Sequence, residues 1–138
     1  VGSEMCIRDR FTVNELPNYQ IDPDELLMMT IRSHDQFNTT IYGLDDRYRG
    51  IYGTRKIVLM NKKDVERHHL DIDLPVTLYN NYGGRKREVS GLKIVAYEIP
   101  KGCIATYFPE CNVLIPQELK ARKSNTPSSK SVKVHVLQ

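Results

Sequence analysis

A series of short apolar runs, each bounded by residues that favour turns, most limits the fold that this chain can adopt. Apolar runs of this length, alternating or continuous, predict β-strands. They lie at residues 26–32, 56–60, 75–80, 92–99, 103–108 and 131–137, with a return strand beginning at residue 87. The turn at residues 81–84 supplies glycines for the positive φ angles of a hairpin. Many short strands with one or two brief helices favour a closed or nearly closed β-barrel over a sandwich.

Two helical segments are predicted between the strands. Asn61 is suited to the N-cap of the first, with Asp64 in its first turn. Residues 117–122 predict one or two further helical turns. The small polar residues of 123–130 predict a loop, and residues 131–137 alternate closely enough to predict a final edge strand.

The chain is predicted to have three parts. Residues 1–10 are predicted to be foreign, because their back-translation resembles a transposase adapter used in preparing sequencing libraries. Residues 11–23 are predicted to be a linker and residues 24–138 a single domain. On this interpretation the native coding sequence is interrupted before Phe11, and domains that precede it are missing.

The composition argues against several classes of partner. Residues 1–10 hold two of the 20 basic and two of the 17 acidic residues, so the remainder keeps the formal charge of +3, which does not favour nucleic acid. No apolar run approaches the length of a membrane span. Cys103 and Cys111 lack CxxC spacing and are expected to be buried small hydrophobic side chains, although a disulfide between them stays open. The adjacent His68 and His69 lack the spacing of metal ligands on a helix.

The most informative polar segment follows the first predicted strand. Residues 30–40 carry nearly every type of hydrogen-bonding side chain directly after the apolar residues 26–29. A strand that ends in so many donors and acceptors is suited to a polar ligand. Arg32 can form paired, charge-assisted bonds with a phosphate, and amides such as Gln36 both donate and accept at the edge of a heterocycle. Each residue alone is more often a solvated or turn residue, so the interpretation depends on their joint occurrence.

The joint pattern resembles the C-terminal, dinucleotide-binding domain of molybdopterin oxidoreductases. It consists of T-x-R-x-x-x-Q-F-N-T at residues 30–39, Y-F-P-E-C-N-V-L at 107–114 and S-x-T-P-x-x-K at 124–130. Residues 35–50 are similar to the formate-dehydrogenase-like branch of that family in particular. One departure is the turn at residues 70–76, which lacks the glycine-aspartate pair that family members usually carry.

The resemblance implies a mainly β fold, a six-stranded double-psi β-barrel like that of the aspartate-decarboxylase-like superfamily, with one or two short helices. It also implies a site for molybdopterin guanine dinucleotide, in the bis form with molybdenum. The implied cofactor-binding residues carry hydroxyl, amide, imidazole or cationic groups: Thr30, Arg32, Ser33, His34, Gln36, Asn38, Thr39, Asn112 and Lys130.

Each of these groups has an expected partner on the cofactor. Arg32 and the hydroxyls of Ser33, Thr39 and Thr40 are suited to phosphate oxygens. The amides of Gln36, Asn38 and Asn112 are suited to the guanine and pterin edges. His34 could stack on the pterin or hydrogen-bond to it, and Lys130 would act as a point charge near the anionic end.

The resemblance further implies a fragment of a larger, cytoplasmic, formate-dehydrogenase-like oxidoreductase. Its partners would be its own upstream catalytic domains, which would carry the molybdenum ligand and any iron–sulfur cluster, and neither nucleic acid nor a membrane segment is expected. The isolated fragment, with no catalytic or metal-ligating residue of its own, would be inactive.

Two other functions compete with this interpretation. A pyruvoyl decarboxylase of the same superfamily requires an internal Gly-Ser bond, and Gly2-Ser3 in the foreign segment is the chain's one such pair. A stand-alone small β-barrel binding module, including one for RNA, remains the alternative. RNA binding would need aromatic stacking on a basic groove, whereas the eight tyrosines are scattered and tryptophan is absent.

Overall fold

The computed structural model describes residues 12–16, 18–37 and 42–138 of the chain. The strands are β1 (Leu26–Ile31), β2 (Ile57–Met60), β3 (Val76–Tyr82), β4 (Arg85–Ala96), β5 (Cys103–Tyr107) and β6 (Val132–Leu137). Helix α1 (Lys62–Arg67) follows β2, and a short 3-10 helix (Asn112–Leu114) follows β5.

The six strands form a closed barrel in the order β1–β5–β2–β4–β3–β6. β1 is parallel to β5 and β2 is parallel to β4, whereas the other neighbouring pairs are antiparallel. The predicted mainly β fold with a closed six-stranded barrel is therefore confirmed.

The barrel interior is filled by alternate residues of its strands. Leu26 and Met28 of β1 and Leu78 of β3 are fully buried there. β2 is buried at all four positions, because a second apolar cluster packs on its outer side. Ile57 and Leu59 belong to this outer cluster, which explains why the β2 sequence is continuously apolar rather than alternating.

Helix α1 begins as predicted. The Asn61 side chain accepts a hydrogen bond from the Lys63 amide at 2.9 Å, which satisfies one of the free donors at the helix start. Asp64 is buried and accepts from the Gly102 amide at 2.7 Å, which ties the helix to the turn before β5. Because β2 leads into α1 and is antiparallel to β5, α1 lies at the end of the barrel where β5 begins.

Three details of the sequence prediction are wrong. Residues 117–122 are not helical, because Ala121 donates to the Thr126 carbonyl and Leu119 accepts from Ser128, which makes a small loop. β6 is not an edge strand, because it pairs with β1 on one side and β3 on the other. The return strand and the strand predicted at 92–99 are one continuous strand, β4, which follows a turn at two glycines with φ of 59° and 73°, Gly83 and Gly84.

Candidate functional site

The polar residues after β1 and the residues after β5 lie at the same end of the barrel. The two strands are parallel, and their last paired residues are Ile31 and Tyr107. Beyond them, the Phe108 amide donates to the Ile31 carbonyl at 2.7 Å. The loops that follow therefore leave the barrel side by side, with residues 32–37 next to residues 108–112.

The loop before β6 closes over the end of β1. Thr30 is buried, and both its amide (2.9 Å) and its hydroxyl (3.2 Å) donate to the Ser129 carbonyl. The Lys130 ammonium donates to the Thr30 carbonyl. The structure thus brings Thr30 and Lys130 together, and the Thr30 hydroxyl anchors this loop to the strand.

Two of the predicted residues are buried and are held by a third residue, Arg55. Ser33 is 4% exposed and Gln36 is 3% exposed. Arg55 Nη1 donates to Ser33 Oγ at 2.6 Å, and Nη2 donates to Gln36 Oε1 at 2.9 Å. Because arginine can only donate, the Gln36 amide must present its oxygen to Arg55. Gln36 Nε2 is then a buried donor with no hydrogen-bond partner in the described part of the chain.

Arg55 also ties the loop after β5 to the same point. Its Nε donates to Glu110 Oε1 at 2.6 Å, and Nη2 donates to the Phe108 carbonyl at 2.8 Å. The ring centroids of Tyr42 and Tyr107 lie 4.0 and 4.7 Å from the guanidinium carbon. Arg55 was not among the residues predicted from the sequence, because its partners come from distant parts of the chain. Its one local sign is an arginine just before an apolar strand.

Arg32 and His34 are both exposed. The Arg32 guanidinium carbon lies 5.5 Å from the centroid of the Phe108 ring, and Arg49 donates to the Arg32 carbonyl at 3.3 Å. The His34 ring centroid lies 3.6 Å from that of Tyr48, with the planes tilted by 36°. Tyr48 therefore packs against one face of the His34 ring.

Asn112 lies at the start of the 3-10 helix and borders a pocket of about 390 Å³. Its Oδ1 is buried and finds no hydrogen-bond partner among the described residues. Three cations at the start of β4 line the same pocket: Arg85, Lys86 and Arg87. Glu118 offsets part of this charge, since its carboxylate lies 3.5 Å from Arg87. A basic pocket with a buried acceptor is suited to an anionic ligand that also carries an N–H group.

A second buried network, around Asp46, supports this end of the barrel. Asp46 is 1% exposed, accepts from the Tyr107 hydroxyl at 2.7 Å and pairs with Arg49. Burial alone would raise the pKa of Asp46, but the hydrogen bonds from Tyr107 and Arg49 outweigh it and hold the pKa below its ordinary value. Burial and the hydrogen bond to Asp46 raise the pKa of Tyr107, so its hydroxyl stays protonated and remains a donor.

Three residues of the predicted segment, Asn38, Thr39 and Thr40, lie outside the described residues. Within residues 12–16, 18–37 and 42–138, no group of three or more His, Cys, Asp or Glu side chains could hold a metal ion. The same residues contain no helix with the length and apolar character needed to cross a membrane. Cys103 and Cys111 are free thiols; Cys111 is buried and Cys103 is half-buried.

The fold and the site together define a binding domain for a polar ligand. A closed barrel gathers arginine, amide and hydroxyl groups from three loops at one end. The family described as "Molydopterin dinucleotide binding domain" matches residues 26–133, which is most of the chain. This chain belongs to the molybdopterin dinucleotide-binding domain family, and the predicted family and cofactor-binding role are confirmed.

Two relatives that match this chain are much longer proteins. An "Uncharacterized oxidoreductase" of Mycobacterium tuberculosis is 44% identical over 131 residues, which are 91% of this chain and 17% of the relative. "Protein YdeP" of Escherichia coli is 37% identical over 116 residues, which are 81% of this chain and 15% of the relative. The chain therefore spans less than a fifth of the length of these relatives.

Proposed function

We propose that this chain is the C-terminal, cofactor-binding domain of a larger molybdenum oxidoreductase and that it binds molybdopterin guanine dinucleotide. The proposal includes the bis form of the cofactor, a formate-dehydrogenase-like enzyme and a cytoplasmic location. Residues 24–138 would form the domain, and residues 11–23 would link it to upstream domains with the molybdenum ligand and any iron–sulfur cluster. Residues 1–10 would be foreign to the native protein.

The observation that carries the proposal is a pair of buried polar atoms without partners at one end of the barrel. Gln36 Nε2 is an unsatisfied donor and Asn112 Oδ1 is an unsatisfied acceptor in the described part of the chain. Leaving such a group unsatisfied costs about 1–3 kcal/mol. The edges of pterin and guanine carry both donors and acceptors, so a bound dinucleotide could satisfy both atoms. The residues present therefore fit this cofactor.

Cations around these two atoms suit the pyrophosphate of the same cofactor. Arg32 is exposed on the loop that carries Gln36, and its planar guanidinium can donate two parallel hydrogen bonds to a phosphate. Lys130 keeps further N–H donors besides the one directed to Thr30, because an ammonium has three. Arg85 borders the Asn112 pocket and adds positive charge there. Asn38 and Thr39 remain part of the proposed site.

The role of the domain follows from these contacts. When bound, the molybdenum cofactor supplies the redox chemistry. Residues of this chain hold its charged and heterocyclic ends in a fixed orientation and replace the water that these groups would otherwise bind. Arg32 and Lys130 balance the negative charge, whereas Gln36 and Asn112 select a ligand with both donors and acceptors.

Arg32→Ala and Asn112→Ala test this proposal in the protein expressed from its native gene. Each variant should retain about tenfold less cofactor than wild type. Arg32→Ala loses a charge-assisted contact to a phosphate, and Asn112→Ala loses a hydrogen bond to the edge of a heterocycle. The measurement is the molybdenum and the guanine nucleotide released per protein after purification. Arg67→Ala is the control, because Arg67 lies on α1, away from the site, and should retain the wild-type content. Unchanged content in both Arg32→Ala and Asn112→Ala would contradict the proposed contacts.

A further inference from the structure

Arg55 is a buried cation that joins the loops after β1 and β5. Its side chain is 3% exposed. It donates to Ser33 and Gln36 in the loop after β1, and to Phe108 and Glu110 in the loop after β5. A second hydrogen bond, from Arg55 Nη2 to Glu110 Oε2 at 3.3 Å, makes the ion pair with that carboxylate bidentate. A lysine could neutralise Glu110 but could not reach all these acceptors, because its ammonium is a single point.

The orientation of Gln36 depends directly on this guanidinium. Arg55 Nη2 donates a hydrogen bond to Gln36 Oε1 at 2.9 Å, so Gln36 Nε2 points away from the guanidinium. That nitrogen is the buried donor without a partner. Without the guanidinium, the side-chain amide of Gln36 could rotate and form hydrogen bonds with other groups. Arg55 therefore fixes which end of the Gln36 amide is available to a ligand.

We propose that Arg55 is a positioning residue, which holds the loops after β1 and β5 together and presents Gln36 Nε2 to an acceptor atom of the bound dinucleotide. This inference rests on the proposed function. Arg55 acts through these partners, because its guanidinium already donates to acceptors in both loops and its charge is paired with Glu110. The acceptor is a carbonyl oxygen or a ring nitrogen on the edge of the pterin or the guanine, since Gln36 is assigned to such an edge.

Arg55→Lys and Gln36→Met test the inference in the protein expressed from its native gene. The lysine keeps a cation for Glu110 but removes the bond that orients Gln36, and the methionine removes the amide at nearly constant volume. Both variants should retain about tenfold less molybdenum and guanine nucleotide than wild type. Gln36→Met should keep a thermal midpoint close to that of wild type, whereas Arg55→Lys should lower it, because buried acceptors lose their donor. Arg67→Lys is the matched control, because it makes the same exchange in an arginine–aspartate pair on α1. The control should retain the wild-type cofactor content.

Hydrogen exchange of the cofactor-free protein gives a second readout that does not depend on the ligand. The backbone amide of Gln36 donates to the Ser33 carbonyl at 3.1 Å, and the backbone amide of Asn112 donates to the Pro109 carbonyl at 2.9 Å. Both amides should exchange at least about tenfold faster in Arg55→Lys, whereas the core strands should be unchanged. Arg67→Lys should leave both amides at the wild-type rate.

The outcomes separate the inference from the proposed function. Wild-type protein that carries the cofactor, together with equal retention in Arg55→Lys, would overturn the role of Arg55 and leave the proposed function standing. Equal amide exchange in Arg55→Lys and wild type would overturn it as well. Wild-type protein without molybdopterin would overturn the proposed function, and the ligand role of Arg55 with it. Cofactor loss that tracks the thermal midpoint in all variants, including Arg67→Lys, would show that stability alone controls binding.

Discussion

Replacing Asp46 with alanine is expected to lower the free energy of unfolding of this chain by about 3 kcal/mol. The Asp46 carboxylate is buried, accepts from Tyr107 at 2.7 Å and neutralises Arg49. Without it, a buried hydroxyl loses its acceptor and a partly buried guanidinium loses its counterion. Urea unfolding measures the change, followed by circular dichroism because the chain has no tryptophan.

The contribution of the Asp46 carboxylate to the free energy of unfolding should depend on pH. Because the pKa of Asp46 is lower in the folded chain than in the unfolded chain, its ionised form stabilises the fold. That contribution is complete above the unfolded pKa and is lost as the pH falls through the folded pKa. The difference in unfolding free energy between wild type and Asp46→Asn should therefore be constant near neutral pH and should shrink below about pH 4.

The matched control is Asp73→Ala, an exposed aspartate in the turn before β3, which should change the unfolding free energy by less than about 0.5 kcal/mol. Equal effects of Asp46→Ala and Asp73→Ala would contradict the role given to the buried network. So would a difference between wild type and Asp46→Asn that stays the same from neutral to acidic pH.

Leu78→Ala is expected to destabilise the chain by about 2–5 kcal/mol. Leu78 is fully buried at the middle of β3 and belongs to the cluster that fills the barrel interior. The substitution removes its apolar contacts and leaves a cavity, because a closed barrel cannot collapse around the missing atoms. The midpoint of urea unfolding should fall, with little change in the dependence of the free energy on urea concentration.

Leu137→Ala is the control that distinguishes the effect of burial on stability from the effect of residue type. Leu137 is a leucine on β6, also in the barrel wall, but it is 51% exposed. Its replacement should cost less than about 1 kcal/mol, since most of its surface is already in water. If the two leucine variants were equally stable, the assignment of the barrel interior would be wrong.

The strands could be predicted from the sequence because their signals are local. Alternation of buried and exposed residues in β1 and β3 follows the side-chain period of a strand. The N-cap at Asn61 and the two glycines of the β3–β4 turn also act within a few residues. The pattern of short strands favoured a closed or nearly closed barrel, and the family resemblance added its specific six-stranded form.

The errors arise where distant residues decide the local structure. Residues 117–122 have a helical composition, yet their backbone pairs with residues 126–128 instead. β6 alternates like an edge strand, but the barrel closes around it, so both of its sides are paired. Local propensity could not reveal either pairing, because each depends on chain segments that meet only in the fold.

The residues of the candidate site also fall into two groups, those that sequence motifs indicated and those whose role appears only in the fold. Ser33, Gln36, Thr30 and Lys130 were predicted as a group, and the structure brings them to one end of the barrel. Arg55 and Asp46 were not predicted as site residues, because their importance comes from partners far away in sequence. Arg55 lies in none of the motifs, and Asp46 lies in the segment 35–50, where the resemblance gave it no role. Motifs thus indicated groups suited to a ligand, whereas the buried charges that hold those groups required the fold.

The most direct test of the proposed function is the ligand content of the wild-type protein expressed from its native gene. Purified protein would be denatured, and the released pterin, nucleotide and metal would be identified by mass spectrometry. We expect molybdopterin, guanine nucleotide and molybdenum to be released together, in the ratio of the bis form. Protein that is folded and releases no pterin would contradict the proposal and would favour a binding module of another kind.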